Sequence, residues 1–247
     1  MWCHESRYKD MVCFEKILWR YIGSCQNLSK NRTMTLPSEP AFWNDHLHQV
    51  PLCAELRHYF STIQSEIRNF IDAAHPFMAY PKYANLYTNT WDAFPLSKFQ
   101  NEFAELSQKN LNFNLDRIVA FTRNRLPTLS GLITALEQEG HLSNVFVSRL
   151  LPGSVINPHR GWTPDFLRIH LALYADPYCR ITVGNETQTW IEGELLAFKD
   201  GGPYLHQVRH DGTSERIILS LDLSLNYLEQ FIPGISRSSI GANGVGS

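Results

Sequence analysis

The sequence predicts a mainly β protein with N-terminal helices: a double-stranded β-helix of the jelly-roll, cupin-like type, packed by helices. Three observations predict it. From Leu52 to Ala74 apolar residues recur at helical spacing. After Gly140 the texture changes to short runs rich in Val, Ile, Leu and aromatics, broken by Gly, Pro, Asn and Asp. Two of those runs then alternate strictly. In one, Leu167, Ile169, Leu171 and Leu173 share a face opposite Arg168, His170, Ala172 and Tyr174; in the other, Ile217, Leu219, Leu221 and Leu223 oppose Arg216, Ser220 and Asp222. Helices covering the purely apolar faces would leave the mixed faces to line an interior cavity.

Taken in order, residues 1–41 read as an N-terminal helix and linker. The apolar run Met11–Ile22 is interrupted by Glu15, Lys16 and Arg20, so it suits an amphipathic docking helix, not a spanning segment of about 20 apolar residues. The same charges deny it the unbroken apolar core of a signal peptide. Residues 23–41 are polar and carry Pro37 and Pro40, which suits a linker. One domain is expected over 42–247, with a helical part at 42–140, the β core at 141–225 and a tail at 226–247. Its main helix carries Leu56, Phe60, Ile63, Ile67, Phe70, Ile71 and Ala74 on one face, and a second runs from Pro127 to about Glu139 with Leu129, Leu132, Ile133 and Leu136 aligned. Ile181–Val183 leads through Gly184-Asn185 towards Thr189–Ile191 as a hairpin.

A hydrophobic content of 43% over 247 residues is enough for one large core. The net charge of −2, with both signs scattered, provides no basic stripe for nucleic acid and no polybasic run for lipid. Small molecules or peptides are the expected partners, and no membrane span is expected. Cys3, Cys13, Cys25, Cys53 and Cys179 form no CxxC pair, no zinc spacing and no even framework, so a reducing, cytoplasmic setting is expected. The sequons at Asn27, Asn31 and Asn185 then read as chance.

The candidate chemistry begins at His159-Arg160-Gly161, followed 47 residues later by His206 and ten beyond that by Arg216. Two histidines and a carboxylate on one face of the metal make the usual non-haem iron site. Here the carboxylate slot, two residues after the first histidine, holds Gly161. Both histidines fall where a strand meets a loop, where a lone histidine is more often a cap or hydrogen-bonding group. Arg216 has Glu215 and Asp222 as alternative partners, and Ser148 alone says little. An inward Arg168 beside His170 is costly unless an anion meets it, which makes an anionic substrate or cosubstrate the natural partner. Trp190 and Phe198 read as packing.

An ordered set of segments spans about residues 145–225: Ser148–Gly153, Pro158–Gly161, Leu167–Leu171, Trp190–Glu194, Phe198–Asp200, His206–Val208, Glu215-Arg216 and Leu221-Asp222. It resembles the aspartyl/asparaginyl β-hydroxylase family of Fe(II)- and 2-oxoglutarate-dependent oxygenases, with fainter similarity at Trp91–Leu96 and Leu126–Leu129. The resemblance implies that His159 and His206 ligate Fe(II), with Gly161 in place of the acidic ligand and water completing the coordination. It implies that Arg216 holds the distal carboxylate of 2-oxoglutarate, that Ser148 and His170 contact the same cosubstrate, and that Arg168 binds an acidic group of the substrate. The implied reaction uses molecular oxygen to hydroxylate an unactivated carbon of a free, carrier-tethered or peptidyl amino acid of Asp/Asn type. Where the family commonly has Phe-Asp-Asp and His-Glu-Val, this chain has Phe198-Lys199-Asp200, a loop about two residues longer, and His206-Gln207-Val208. Asp200 is expected near the iron's water and Lys199 at the entrance. Two rivals follow: a halogenase that admits chloride beside Gly161, and a non-catalytic cupin-like binding module.

Overall fold

The computed structural model describes residues 39–81, 85–97, 114–161 and 164–236. The expected N-terminal helix, the linker as far as Ser38 and the end of the tail lie outside the described residues. After a 3-10 turn at Asn44–Gln49 come α1 (Pro51–His58) and α2 (Phe60–Ala74). The apolar spacing predicts one helix here. The observed division is a single residue, Tyr59, at φ −92 and ψ 12. Hydrogen bonding carries across it, from the Tyr59 N–H to Glu55 and from the Ile63 N–H to Tyr59, so the buried stripe of Leu56, Ile63 and Ile67 survives. α2 stops at His75, which turns left-handed (φ 44, ψ 55) and returns its N–H to Ile71.

The helix α3 (Leu115–Arg123), which the periodicity did not reveal, starts where the Asn114 side chain accepts the Arg117 N–H at 3.0 Å. The next helix, α4 (Pro127–Gln138), begins on its proline as expected. Among the described residues no helix is long and apolar enough to cross a membrane.

Eleven strands follow in chain order among the described residues: β1 (Met78–Ala79), β2 (Tyr87–Thr88), β3 (Trp91–Pro95), β4 (Leu142–Leu150), β5 (Val155–His159), β6 (Phe166–Tyr174), β7 (Cys179–Val183), β8 (Glu186–Thr189), β9 (Leu195–Phe198), β10 (His206–His210) and β11 (Arg216–Ser224). A short α5 (Leu225–Leu228) caps the last. They form a six-stranded sheet in the order β1-β3-β4-β11-β6-β9 and a five-stranded sheet in the order β2-β5-β10-β7-β8. All pairings are antiparallel, and the two sheets make the jelly-roll core that the sequence predicts. The expected boundary at residue 140 needs correcting, because β3 pairs with β4 in the larger sheet and β2 with β5 in the smaller. Strands of two to five residues at or next to a sheet edge are too short to show a period.

The alternating strands divide the interior into two layers. Leu167, Ile169, Leu171 and Leu173 of β6, with Ile217, Leu219, Leu221 and Leu223 of β11, pack on Leu56, Ile63, Ile67, Leu129 and Ile133 of the helices. The opposite face of the larger sheet, with Phe146, Ala172 and Ile218, meets Ile156, Ile181 and Val208 of the smaller sheet. The polar residues of β6 and β11 enter this second, inter-sheet layer. The β7–β8 hairpin forms as expected on Gly184-Asn185, with Gly184 at φ +58 and Val183 opposite Glu186.

Ile67 is fully buried in the helix–sheet layer. Ile67→Ala should cost about 2–5 kcal/mol, seen as a lower urea midpoint at unchanged slope. A loss of about 0.5 kcal/mol or less would show that the helices are not part of the cooperative core.

Candidate active site

The last residue of β5 and the first of β10, His159 and His206, are direct partners in the antiparallel register. Directly opposed residues project to the same face, and the two ring centroids are 4.1 Å apart. The His159 Nδ1 lies 2.8 Å from the Asn157 carbonyl and donates to it, which leaves Nε2 with the lone pair. Burial first, and then His206, lower the His159 pKa to about 4, so this ring is neutral at pH 7. The His206 Nε2 is 3.2 Å from Asp200 Oδ1, and its Nδ1 is buried without a hydrogen-bond partner among the described residues.

All six residues nominated from the sequence (Ser148, His159, Arg168, His170, His206 and Arg216) line one cavity of about 40 Å³ between the sheets. Trp91, Phe146, Trp190 and Phe198 form its aromatic walls. This volume holds only a few waters, so a larger guest must draw the walls apart.

The two arginines of the cavity have opposite electrostatic circumstances. Arg168 is clamped by protein carboxylates: its Nε and Nη2 donate to Asp222 at 2.8 and 2.9 Å, and its Nη1 donates to Asp200 at 2.7 Å. Asp222 faces it directly in the β6–β11 register and also accepts from Asn144 at 2.8 Å. The chain itself therefore supplies two anions that offset the burial of Arg168. Burial would lower the Arg168 pKa, but Asp200 and Asp222 outweigh it and raise the value. Burial would likewise raise the Asp200 pKa, yet Arg168 and then His206 hold it well below the usual carboxylate range.

Arg216 is only 2% exposed and, among the described residues, meets no carboxylate. Its alternative partners are engaged elsewhere, Glu215 with Arg68 and Arg149, and Asp222 with Arg168. Burial lowers its pKa, but a guanidinium remains charged. Its Nη2 reaches Ser148 Oγ at 3.4 Å and its Cζ sits 4.9 Å from the Trp190 ring centroid, while Nε has no hydrogen-bond partner. Ser148 also accepts the Trp91 indole N–H at 2.9 Å, which leaves its own proton to donate. Burial, then Arg168 and Arg216, keep His170 neutral by pushing its pKa well down.

The structure also accounts for Gly161. Its N–H donates to the Asp200 carbonyl at 2.8 Å, and a Cβ built on it would sit 1.5 Å from Asp200 Oδ2. The Asp200 carboxylate thus fills the space that a side chain at 161 would take. Lys199 behaves differently from the expectation that placed it at the entrance. It points away from the cavity and is buried, its Nζ donating to Glu39 at 2.7 Å and to the Ser236 carbonyl beside the Trp43 ring.

Residues 57–225 match the family described as aspartyl/asparaginyl β-hydroxylase. The chain belongs to that family. Aspartate β-hydroxylase domain-containing protein 2 of Xenopus tropicalis is 41% identical over 83 residues, covering 32% of this chain and 22% of the relative. Human aspartyl/asparaginyl β-hydroxylase is 41% identical over 73 residues, 29% of this chain and 9% of the relative. These matches span less than a quarter of the relatives' length. Among solved structures, a Trichoplax adhaerens prolyl hydroxylase in complex with a hypoxia inducible factor peptide aligns at TM-score 0.45 and 9% identity, over 68% of this chain and 78% of that one. A Pseudomonas putida prolyl-4-hydroxylase aligns at TM-score 0.41 and 15% identity, over 72% and 89%.

In this β-hydroxylase-family chain, no group of three or more His, Cys, Asp and Glu side chains among the described residues is arranged to hold a metal. What the cavity offers is two imidazoles, one with a free lone pair and one with a buried, unpartnered nitrogen. That donor set fits Fe(II) as the protein-derived part of a site with open positions. Sequence reasoning undervalued Trp91 and Trp190, because an aromatic in a strand gives no sign of whether its N–H finds a partner.

Two stability predictions follow from the charges and one from the glycine. Arg168→Ala strands two carboxylates and should cost about 3–5 kcal/mol, whereas Arg216→Met removes a desolvated, unpaired cation and should be neutral or stabilising by about 1 kcal/mol. Equal losses in denaturant melts would mean that Arg216 has a structural counter-ion. Gly161→Ala should lower the melting temperature of the wild type but not of an Asp200→Ala variant; additive losses would refute the shared-space account.

Proposed function

We propose that this protein is an Fe(II)- and 2-oxoglutarate-dependent hydroxylase that acts on an unactivated carbon of an amino-acid-type substrate bearing an acidic group. The observation that carries this reading is Arg216, a buried guanidinium without a carboxylate, which shares its cavity with the His159–His206 pair. A desolvated cation beside a free hydroxyl donor is suited to a carboxylate oxygen pair. Charge balance adds support. Arg168 and Arg216, which line the cavity, offset Asp200 and Asp222 beside it, and a divalent metal with a dicarboxylate adds no net charge.

When bound, iron and 2-oxoglutarate supply the oxidation of the C–H bond with molecular oxygen as co-reactant. The rest is the work of this chain. His159 and His206 would hold the metal, and Asp200, anchored by Arg168, orients the His206 ring. Arg216 and Ser148 would take the distal carboxylate of 2-oxoglutarate, with His170 donating to the same cosubstrate. Arg168 would meet the acidic group of the substrate at Nη1, in competition with Asp200 for that nitrogen. The walls of Trp91, Phe146 and Phe198 keep bulk water from the reacting carbon. Because the Asp200 carboxylate fills the space beside Gly161, an added chloride would meet negative charge there, which favours hydroxylation over halogenation. Buried, unpaired Cys53 and Cys179 suit a cytoplasmic setting.

A turnover screen with Fe(II), 2-oxoglutarate and a panel of amino acids and acidic peptides, read by succinate and by the mass gain of one oxygen, tests the reading. His159→Ala and His206→Ala should remain folded by circular dichroism, lose Mn(II) binding in calorimetry and release no succinate. Arg216→Ala should raise the 2-oxoglutarate requirement about ten- to a hundredfold. Full activity in either histidine variant overturns the metal assignment. Chlorinated product would make the protein a halogenase, and a complete absence of succinate release across the panel would favour a binding module.

A further inference from the structure

Trp190 touches both polar groups on one wall of the cavity. Its Nε1–H donates to His170 Nδ1 at 3.3 Å, and its ring face lies 4.9 Å from the Arg216 Cζ. The residue is 3% exposed and follows directly on β8. The chain just beyond it is tied to the strand that carries His170: the Gly193 N–H donates to the Ala172 carbonyl at 2.9 Å, and the Ala172 N–H donates to Glu194 at 3.2 Å. Gly193 makes that turn at φ +82, a conformation open to glycine. The indole is thus held in place relative to β6, and β6 is paired with β11, which begins at Arg216.

The chemistry of the pair follows from the donor inventory. An indole N–H can only donate, so His170 Nδ1 must accept, and the neutral ring then carries its proton on Nε2. Burial and the two neighbouring arginines keep the ring neutral. Phe198 packs edge-on to the imidazole with centroids 5.4 Å apart. Arg216, whose Nε has no hydrogen-bond partner, takes its orientation from the Trp190 face, from Ser148 and from the Cys179 side chain. Only tryptophan combines a donor at this reach with so broad a face; phenylalanine keeps the face alone.

We propose that Trp190 is a positioning residue for the cosubstrate: it fixes His170 as an Nε2–H donor and sets the plane of Arg216, so that the wall is arranged in advance for a 2-oxo dicarboxylate. This rests on the reading of the cavity as a 2-oxoglutarate site. The role differs from packing because it acts through one hydrogen bond and one cation over the ring face, each removable separately.

Calorimetric titration of 2-oxoglutarate into Mn(II)-loaded protein provides the test, with nitrogen-15 NMR of the His170 ring beside it. Wild type should show the Nε2–H tautomer. Trp190→Phe, which keeps the face, should raise the Kd for 2-oxoglutarate about five- to tenfold and mix the tautomers, and Trp190→Leu should raise it about fivefold further. Mn(II) affinity should stay at the wild-type value in both, which a general loosening of the cavity would not allow. In a His170→Phe background the Trp190→Phe effect should shrink to about twofold or less.

A wild-type Kd in Trp190→Phe, an undiminished effect in the His170→Phe background, or an Nδ1–H tautomer in wild type would overturn the proposal. Trp190→Phe is close to isosteric, so the result does not hang on the more disruptive leucine. Wild-type protein that binds Mn(II) but no 2-oxoglutarate would instead overturn the cosubstrate reading and the dicarboxylate role with it. The tautomer then still decides whether Trp190 fixes His170.

Discussion

A guanidinium enclosed between two β-sheets is expensive until anions meet it, and the chain Asp222–Arg168–Asp200 is the constraint on which the rest of the cavity depends. The first anion comes from sheet geometry alone, since Asp222 lies opposite Arg168 in the register of two neighbouring strands. The second comes from the end of β9, where Phe198 pairs with Arg168 and Asp200 follows two residues later. Held by Arg168, Asp200 then reaches His206 at 3.2 Å and fills the space over Gly161. One ion-pair network therefore sets the orientation of a histidine and the need for a glycine.

Arg216 is the counter-case. The fold buries this cation without a carboxylate, and it can do so because two large apolar layers hold the sheets together regardless. An energetically unfavourable group kept in a well-packed wall is the usual sign that a site has been built for a ligand at some cost in stability. The groups around it come from strands, with Ser148 on β4, His170 on β6 and Arg216 opening β11, and rigid elements locate side chains more closely than loops do. The helices contribute by covering the outer face of the same sheet.

Much of the site was legible because strands have a period of two. That period placed Arg168, His170 and Arg216 inside and their leucine and isoleucine neighbours outside, and both histidines at strand ends. The partners of those charges were not legible. Asp200 and Asp222 stand 32 and 54 residues from Arg168, and several acids were equally plausible by composition. The short strands β1 to β3 offered no period, and the helix from Leu52 gave no warning of Tyr59, where the hydrogen bonding continues almost unchanged.

By itself, then, the sequence determined the longer strands and the faces of β6 and β11, which follow from spacing along the chain, and its resemblance to a family nominated the six residues that converge on one cavity. Only the tertiary structure decided that Arg168 is satisfied while Arg216 is not, that Asp200 stands over Gly161, and that Trp190 joins His170 to Arg216. The physical reason is that ion pairs and hydrogen bonds depend on separations of about 3 Å through space. Those separations are set when two sheets pack, and distance along the chain does not encode them.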